Sequence, residues 1–264
     1  MNATDKKYRV AFVGAGNVAW HLAQALTEAG HQVVAVHSRS AASSEELASI
    51  LPVAQPDSSL DFTNIAVDVI LIAVPDAALA QVAAELKVAP GTIVAHTSGS
   101  QPLAILKSIK NAQPAVFYPL QTFSKTKTVD LKQAPILLEA EQEQIMQQLE
   151  SLAQSISTKV YKVGSEARRQ LHLAAVFACN FTNHLLGISQ QLLQEANLPK
   201  ELLQPLVQET VAKAMQQHPY QVQTGPAIRH DDNVIQAHLH MLQQHPRLQE
   251  LYQKLTESIQ ATKV

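Results

Sequence analysis

The stretch Val13-Gly14-Ala15-Gly16-Asn17-Val18-Ala19 constrains this chain more than any other. A β-branched apolar run, residues 10–13, leads straight into it, and a helical pattern over residues 17–29 leaves it. In a G-x-G-x-x-A turn the first glycine allows the tight turn and the second lets a pyrophosphate approach the backbone. The final alanine lets the helix pack closely on its strand. Free N–H groups and the dipole at the helix start then favour phosphate charge. A bare glycine pattern is weak, but strand, turn and helix occur here in the order the motif requires. Gly14, Ala15, Gly16, Asn17 and Val18 are therefore expected to cradle a dinucleotide.

The rest of the first half continues the pattern. Residues 32–36, 68–74 and 92–96 read as strands apolar on both faces, as buried parallel strands are. Helices are expected over residues 43–50, 76–87, 101–110 and 141–156, with further edge strands at 115–118, 135–138 and 159–162. Alternation of this kind implies right-handed crossovers and an α/β, Rossmann-type, doubly wound parallel sheet. After residue 163 the strand signals stop. A long pattern over residues 166–196 reads as an uninterrupted helix, followed by helices over 200–218, 231–244 and 247–259. Of 29 glutamines, 22 lie at or after Gln133, as polar faces of solvated helices would require. The expected division is residues 1–163 as the nucleotide domain and 164–264 as an all-α domain.

Composition removes several function classes. With 20 Lys+Arg against 22 Asp+Glu and no basic stripe, the chain lacks the footprint of a nucleic-acid binder. Its longest clean apolar run, residues 69–74, is far short of the ~20 residues of a membrane span. No apolar leader separates the opening residues from the first strand, so no signal peptide is expected. A single cysteine, Cys179, forbids an internal disulfide, fits a reducing, cytoplasmic setting, and reads as an ordinary buried thiol. These observations leave an enzyme or a small-molecule binder.

The second strand ends in His37-Ser38-Arg39-Ser40, where an NAD-binding sheet would carry an acidic residue for the ribose. Ser38, Arg39 and Ser40 instead suit the extra phosphate of NADP, which a guanidinium grips with paired donors. Val74-Pro75-Asp76 and His96-Thr97-Ser98-Gly99-Ser100 end the next two strands, so both loops face the expected cleft. Val74 and Pro75 are expected against the cofactor, Asp76 reads first as a helix N-cap, and Ser100 equally caps the next helix. Ser98 and Gly99 serve substrate or merely the turn. Tyr118-Pro119-Leu120-Gln121-Thr122-Phe123-Ser124-Lys125 is an exit loop gathering an aromatic, an amide, hydroxyls and a lysine.

On the long helix, His172, Asn180 and Asn183 fall within an arc of roughly 80° at about 100° per residue. Polar groups in so apolar a stretch must find partners or face a cavity. No metal site is expected: His238 and His240 point to opposite sides of their helix, and His238 and His245 are about 10 Å apart. Thr224-Gly225-Pro226-Ala227-Ile228-Arg229 forms a turn before a helix capped by Asp231 or Asp232, and Arg229 binds an anion or a neighbouring carboxylate.

Taken together, residues 14–19, 73–76, 96–99, 117–123, 173–184 and 224–229 resemble the Rossmann-like NADP oxidoreductases whose helical half is the domain of unknown function 2520. The layout is more distantly similar to β-hydroxyacid dehydrogenases, prephenate dehydrogenases and pyrroline-5-carboxylate reductases. The Ser-Gly-Gly loop of β-hydroxyacid dehydrogenases is matched in part by Ser98-Gly99-Ser100. Their Lys-x-x-x-Asn pair is absent, since the helix offers His172, Asn180 and Asn183 and no lysine. The expected function is an NADP(H)-dependent oxidoreductase acting on a small polar carbonyl or imine. His172 serves as general acid/base, Asn180 and Asn183 orient the reacting atom, and Ser98 holds a substrate polar group. The alternative is a non-catalytic NADP-binding sensor. The helix is apolar nearly all round from Leu171 to Ile188, which a folded protein tolerates only under cover, so a homodimer through the helical half is expected. The family's relatives also tend to pair through these helices, and Arg229 could then act across subunits.

Overall fold

The computed structural model describes residues 6–262; the opening residues 1–5, part of the segment read above as carrying no leader, lie outside the described residues. Strands β1 (Arg9–Val13), β2 (Gln32–His37), β5 (Val69–Ile72), β7 (Ile93–His96) and β8 (Gln113–Pro119) run parallel through the middle of an eight-stranded sheet. Its order is β10-β9-β8-β7-β5-β1-β2-β3, with β3 (Gln55–Asp57) at one edge and β9 (Ile136–Ala140) and β10 (Val160–Lys162) at the other. β9 is antiparallel to β8, so the expected all-parallel sheet gains one reversed neighbour. Two short strands, β4 (Asp61–Phe62) and β6 (Lys87–Val88), pair separately.

Period-two alternation divides the core between the sheet's two faces. Val10, Phe12 and Leu71 pack with Leu22 and Leu26 of α1 (Asn17–Glu28), Leu47 of α2 (Ala41–Ser49) and Leu149 of α4 (Glu143–Gln154). Ala11, Val13, Ile70 and Ile72 pack on the other face with Leu79 and Ala83 of α3 (Asp76–Glu85) and with Leu106. Both faces are covered, which is why these strands are apolar throughout. Because β1 lies between β5 and β2, the strand order reverses beside it, and the crevice at that switch point opens at the strands' carboxyl ends.

Two expectations about helices fail. Residues 101–110 do not form a helix; only a 3₁₀ turn, Leu103–Leu106, is present. Pro102 at its cap holds an extended backbone, and the Ser98 hydroxyl takes the Gln101 N–H, so the chain enters as a turn. The long helix is interrupted as well. α5 (Ser165–Ala175) passes into a π-helical stretch, Val176–Phe181, before α6 (Thr182–Glu195) begins. Residues in that stretch turn through less than 100° each, so the face computed for His172, Asn180 and Asn183 does not carry through it. By length and composition the span Ser165–Glu195 is apolar enough to cross a membrane, a property invisible to a search for unbroken apolar runs.

The chain forms two compact units, residues 1–183 and 184–264. In the second, α7 (Gln204–Gln216), α8 (Asp232–Met241) and α9 (Pro246–Ala261) follow α6. Asp231 caps α8 by accepting the Val234 N–H, as expected. His238 Nδ1 meets the Tyr252 hydroxyl at 2.9 Å, tying α8 to α9, and Ile235 and Leu242 are buried there.

Candidate functional site

The glycine turn follows from backbone geometry. Gly14 has φ +107°, and a Cβ there would lie 2.2 Å from the Ala73 carbonyl oxygen, so only glycine fits between β1 and β5. Its N–H donates to the His37 carbonyl at 2.8 Å, fixing the turn against β2. Gly16 is the N-cap of α1, where no side chain caps the helix, and a Cβ on it would meet nothing within 4 Å. The helix start therefore presents donors to open space.

That space is a cavity of about 200 Å³ between the glycine turn, Val74-Pro75 and the end of β2. It gathers Gly14, Ala15, Gly16, Ser38, Arg39, Val74 and Pro75 of the expected cofactor residues. Asn17 and Val18 open α1 beside it. Ser40 is instead the N-cap of α2, accepting the Ser43 N–H. A wider hollow of about 660 Å³ shares His37, Ser38 and Arg39, and is walled by the loop from Pro56 to Asp61. That loop escaped sequence reasoning because β3 and β4 are too short and polar to register. Lys87 on this hollow is engaged by Asp61 at 3.6 Å, whereas among the described residues no carboxylate pairs with Arg39. Backbone donors at one end and an uncommitted guanidinium at the other are the donor set that a dinucleotide with an extra phosphate needs.

A second cluster sits at the ends of β7 and β8. His96 is fully buried; its Nδ1 accepts the Ser98 N–H at 3.2 Å, and its Nε2 finds no partner in hydrogen-bonding geometry. Burial, with the Arg168 cation adding to it, holds the imidazole pKa down at about 4, so this ring stays neutral at physiological pH. Ser98 Oγ accepts the N–H groups of Ser100 at 3.1 Å and Gln101 at 3.0 Å, and its own proton remains for another acceptor. The Ser100 hydroxyl donates to Asp76, so neither residue caps a helix as expected; Pro75 holds the cap position of α3 and Asp76 is its first residue.

Across the loop, the Tyr118 hydroxyl and His172 Nδ1 are 3.1 Å apart, with their rings edge to face. Gly99 lies beneath the pair: a Cβ there would fall 2.5 Å from His172 Nδ1 and 2.7 Å from Tyr118 Cζ. Burial pushes the Tyr118 phenol up, while Arg168 opposes the shift. Arg168 is wholly buried. It pairs with Glu139 of β9, donates to the Gln101 carbonyl at 2.6 Å and reaches Ser165 Oγ at 3.3 Å. The Ser165 hydroxyl also meets Glu139 at 2.8 Å and accepts the Leu103 N–H.

The structure thus brings His172 onto the Ser98–Ser100 loop and leaves Asn180 and Asn183 on exposed helix surface. Cys179 is exposed, not buried, because the apolar helix around it is uncovered. Arg229 is exposed in the second unit. Tyr118, Gly99, Arg168, Glu139 and His96 were not singled out from the sequence; only the loop beginning at Tyr118 hinted at them.

Two family models match the chain, a Rossmann-like domain over residues 2–119 and the domain of unknown function DUF2520 over residues 134–259. A "putative NADP oxidoreductase" from Bacteroides fragilis is 38% identical, with a TM-score of 0.90 over 97% of this chain and 99% of that one. This chain belongs to the Rossmann-like family that carries the DUF2520 domain. The family's fold extends to more distant enzymes. An imine reductase from Myxococcus stipitatus in complex with NADP+ is 16% identical, with a TM-score of 0.63 over 96% of this chain and 92% of that one. A reductive aminase from Aspergillus terreus in complex with NADPH and ethyl levulinate is also 16% identical, with a TM-score of 0.65 over 96% and 93%. No curated protein matches the chain.

Proposed function

We propose that this chain is an NADP(H)-dependent oxidoreductase that moves hydride between the nicotinamide and a small polar carbonyl or imine, or the corresponding alcohol or amine. The observation that carries this reading is the open glycine cradle continuous with an unpaired Arg39. The neighbours' names support it, and a cytoplasmic setting fits it. When bound, the dinucleotide supplies or accepts the hydride. The chain's own residues do the rest. The glycine turn and the N–H groups of α1 hold the pyrophosphate, and Ser38 and Arg39 hold the 2′-phosphate. His172 gives or takes a proton at the reacting oxygen or nitrogen, near the pH where imidazole titrates. Ser98 offers its hydroxyl proton to substrate, and Asn180 and Asn183 orient it. We keep residues 1–163 as the cofactor domain and 164–264 as the substrate and assembly domain.

Calorimetry tests the cofactor assignment. Arg39→Ala should weaken NADPH binding by about 1.5–3 kcal/mol, the range of a charge-assisted hydrogen bond, and leave NADH binding nearly unchanged. Equal losses for both refute it. Following NADPH absorbance across a panel of aldehydes, ketones and imines tests the chemistry; tight binding without turnover on any of them would favour a sensor.

Assembly belongs to the same proposal. Leu173, Phe177, Phe181 and Leu185 are exposed along one continuous helical span that no part of a single chain buries. Such a surface needs a cover, and a second copy of this chain supplies it symmetrically. Light scattering at micromolar concentration giving 28.7 kDa would refute the dimer, and with it any role of Arg229 across subunits.

A further inference from the structure

An imidazole that moves protons has to present one nitrogen reliably, and the structure contains a device that does this for His172. We propose that Tyr118 is a positioning residue that occupies Nδ1 of His172 in both of its charge states, so that Nε2 is always the nitrogen offered to substrate. This inference rests on the reading of His172 as the proton-transferring group.

The argument begins with what each group can do. A phenol hydroxyl both donates and accepts, whereas a carbonyl or carboxylate only accepts and an ammonium only donates. Opposite neutral His172, the Tyr118 hydroxyl donates to an unprotonated Nδ1 and leaves the proton on Nε2. Opposite the imidazolium, the same oxygen accepts from Nδ1–H without either ring turning over. The 3.1 Å separation serves both arrangements. A carbonyl in that place would instead select the Nδ1–H tautomer and leave Nε2 unprotonated.

The surroundings hold the two rings to that one contact. Gly99 removes the side chain that would otherwise wedge them apart, since its Cβ would overlap both rings. Arg168 stands four residues before His172, on the same face of α5. It is bound on two sides, to Glu139 in the sheet and to the carbonyl of Gln101 in the loop. That buried pairing fixes the rotation of α5 against the loop, and so the direction of His172. The other charged or titratable groups acting on this pair are Asp76 and Cys179, on α3 and the π-helical stretch. No carboxylate contacts either ring among the described residues, so none competes for Nδ1.

The test reads nitrogens and needs neither substrate nor dinucleotide, which separates its failure from that of the oxidoreductase reading. Long-range ¹H–¹⁵N spectra of the full chain labelled at histidine report the tautomer of His172, assigned by its disappearance in His172→Asn. Wild type above the imidazole pKa should show one tautomer, with the proton on Nε2. Tyr118→Phe removes only the hydroxyl and should raise the Nδ1–H tautomer from undetected to a clearly populated minor form. Gly99→Ala, which spreads the rings while keeping the hydroxyl, should move the same signals in the same direction. A wild-type ring protonated at Nδ1, or nitrogen shifts unchanged in Tyr118→Phe, would overturn the proposal. Should Tyr118→Phe fail to fold, the wild-type tautomer and Gly99→Ala decide it.

Discussion

His96 makes the stability of the first unit depend on pH in a calculable way. Its ring is fully buried, its Nδ1 already accepts the Ser98 N–H, and the Arg168 cation is near, so protonation inside the fold is opposed from three sides. The folded imidazole titrates at about 4, against 6.5 for the exposed group. Because the unfolded chain takes the proton first, stability is fully present above pH 6.5 and is lost as pH falls towards 4. The whole difference is worth roughly 3 kcal/mol at about 1.36 kcal/mol per pH unit. Between pH 7.5 and pH 5 the linkage relation gives a loss of about 2 kcal/mol from this group alone. His96→Asn keeps an acceptor for the Ser98 N–H and removes the titration. Its own cost cancels when each protein is compared with itself at two pH values, as do the contributions of the carboxylates and of His31. Urea unfolding followed by fluorescence of Trp20, the single tryptophan and a residue of α1, reports on the unit that contains His96. Wild type should lose about 2 kcal/mol more than the variant between the two pH values. Equal losses would mean that the buried ring is not the neutral, proton-resisting group described above.

Arg168→Met alone should cost about 3–5 kcal/mol of unfolding free energy, because it leaves the Glu139 carboxylate without its partner; Arg168→Met with Glu139→Gln should recover part of that. A double variant no more stable than the single one in urea would refute the pairing's role. Phe177→Glu, on the exposed helix, should shift the proposed dimer towards monomer in light scattering at unchanged Trp20 fluorescence; an unchanged mass would move the interface elsewhere.

The parts of this fold legible in the sequence are those with a local cause. The turn at Gly14 and Gly16 is written in residues that share one physical requirement, and the strands around it are long enough to show their apolar runs. The cofactor end of the site followed from that. The other end did not, because its contacts are tertiary. Tyr118 and His172 are 54 residues apart, and Arg168 sits in the polar run Glu166-Ala-Arg-Arg-Gln, which looks like solvated helix surface. Nothing local distinguishes the arginine that becomes fully buried from the exposed one beside it. Gln55-Pro56-Asp57 makes an edge strand without an apolar residue, relying on β2 for its pairing. The lost helix at 101–110 was outweighed by Pro102 and the Ser98 hydroxyl, each a short-range effect that summed propensity hides.

The π-helical stretch between Val176 and Phe181 behaves as a phase shifter in the chain. A helix is a register in which each residue fixes the azimuth of all that follow, and one extra residue in a turn resets that azimuth for everything downstream. Removing a single residue from this stretch would restore α-helical winding and leave the Tyr118–His172 contact intact. It would also swing Asn183, His184 and the rest of α6 about the helix axis by roughly 100°. The two ends of this helix are thus coupled by count as well as by contact, and a one-residue length change here can re-aim one end without touching the other.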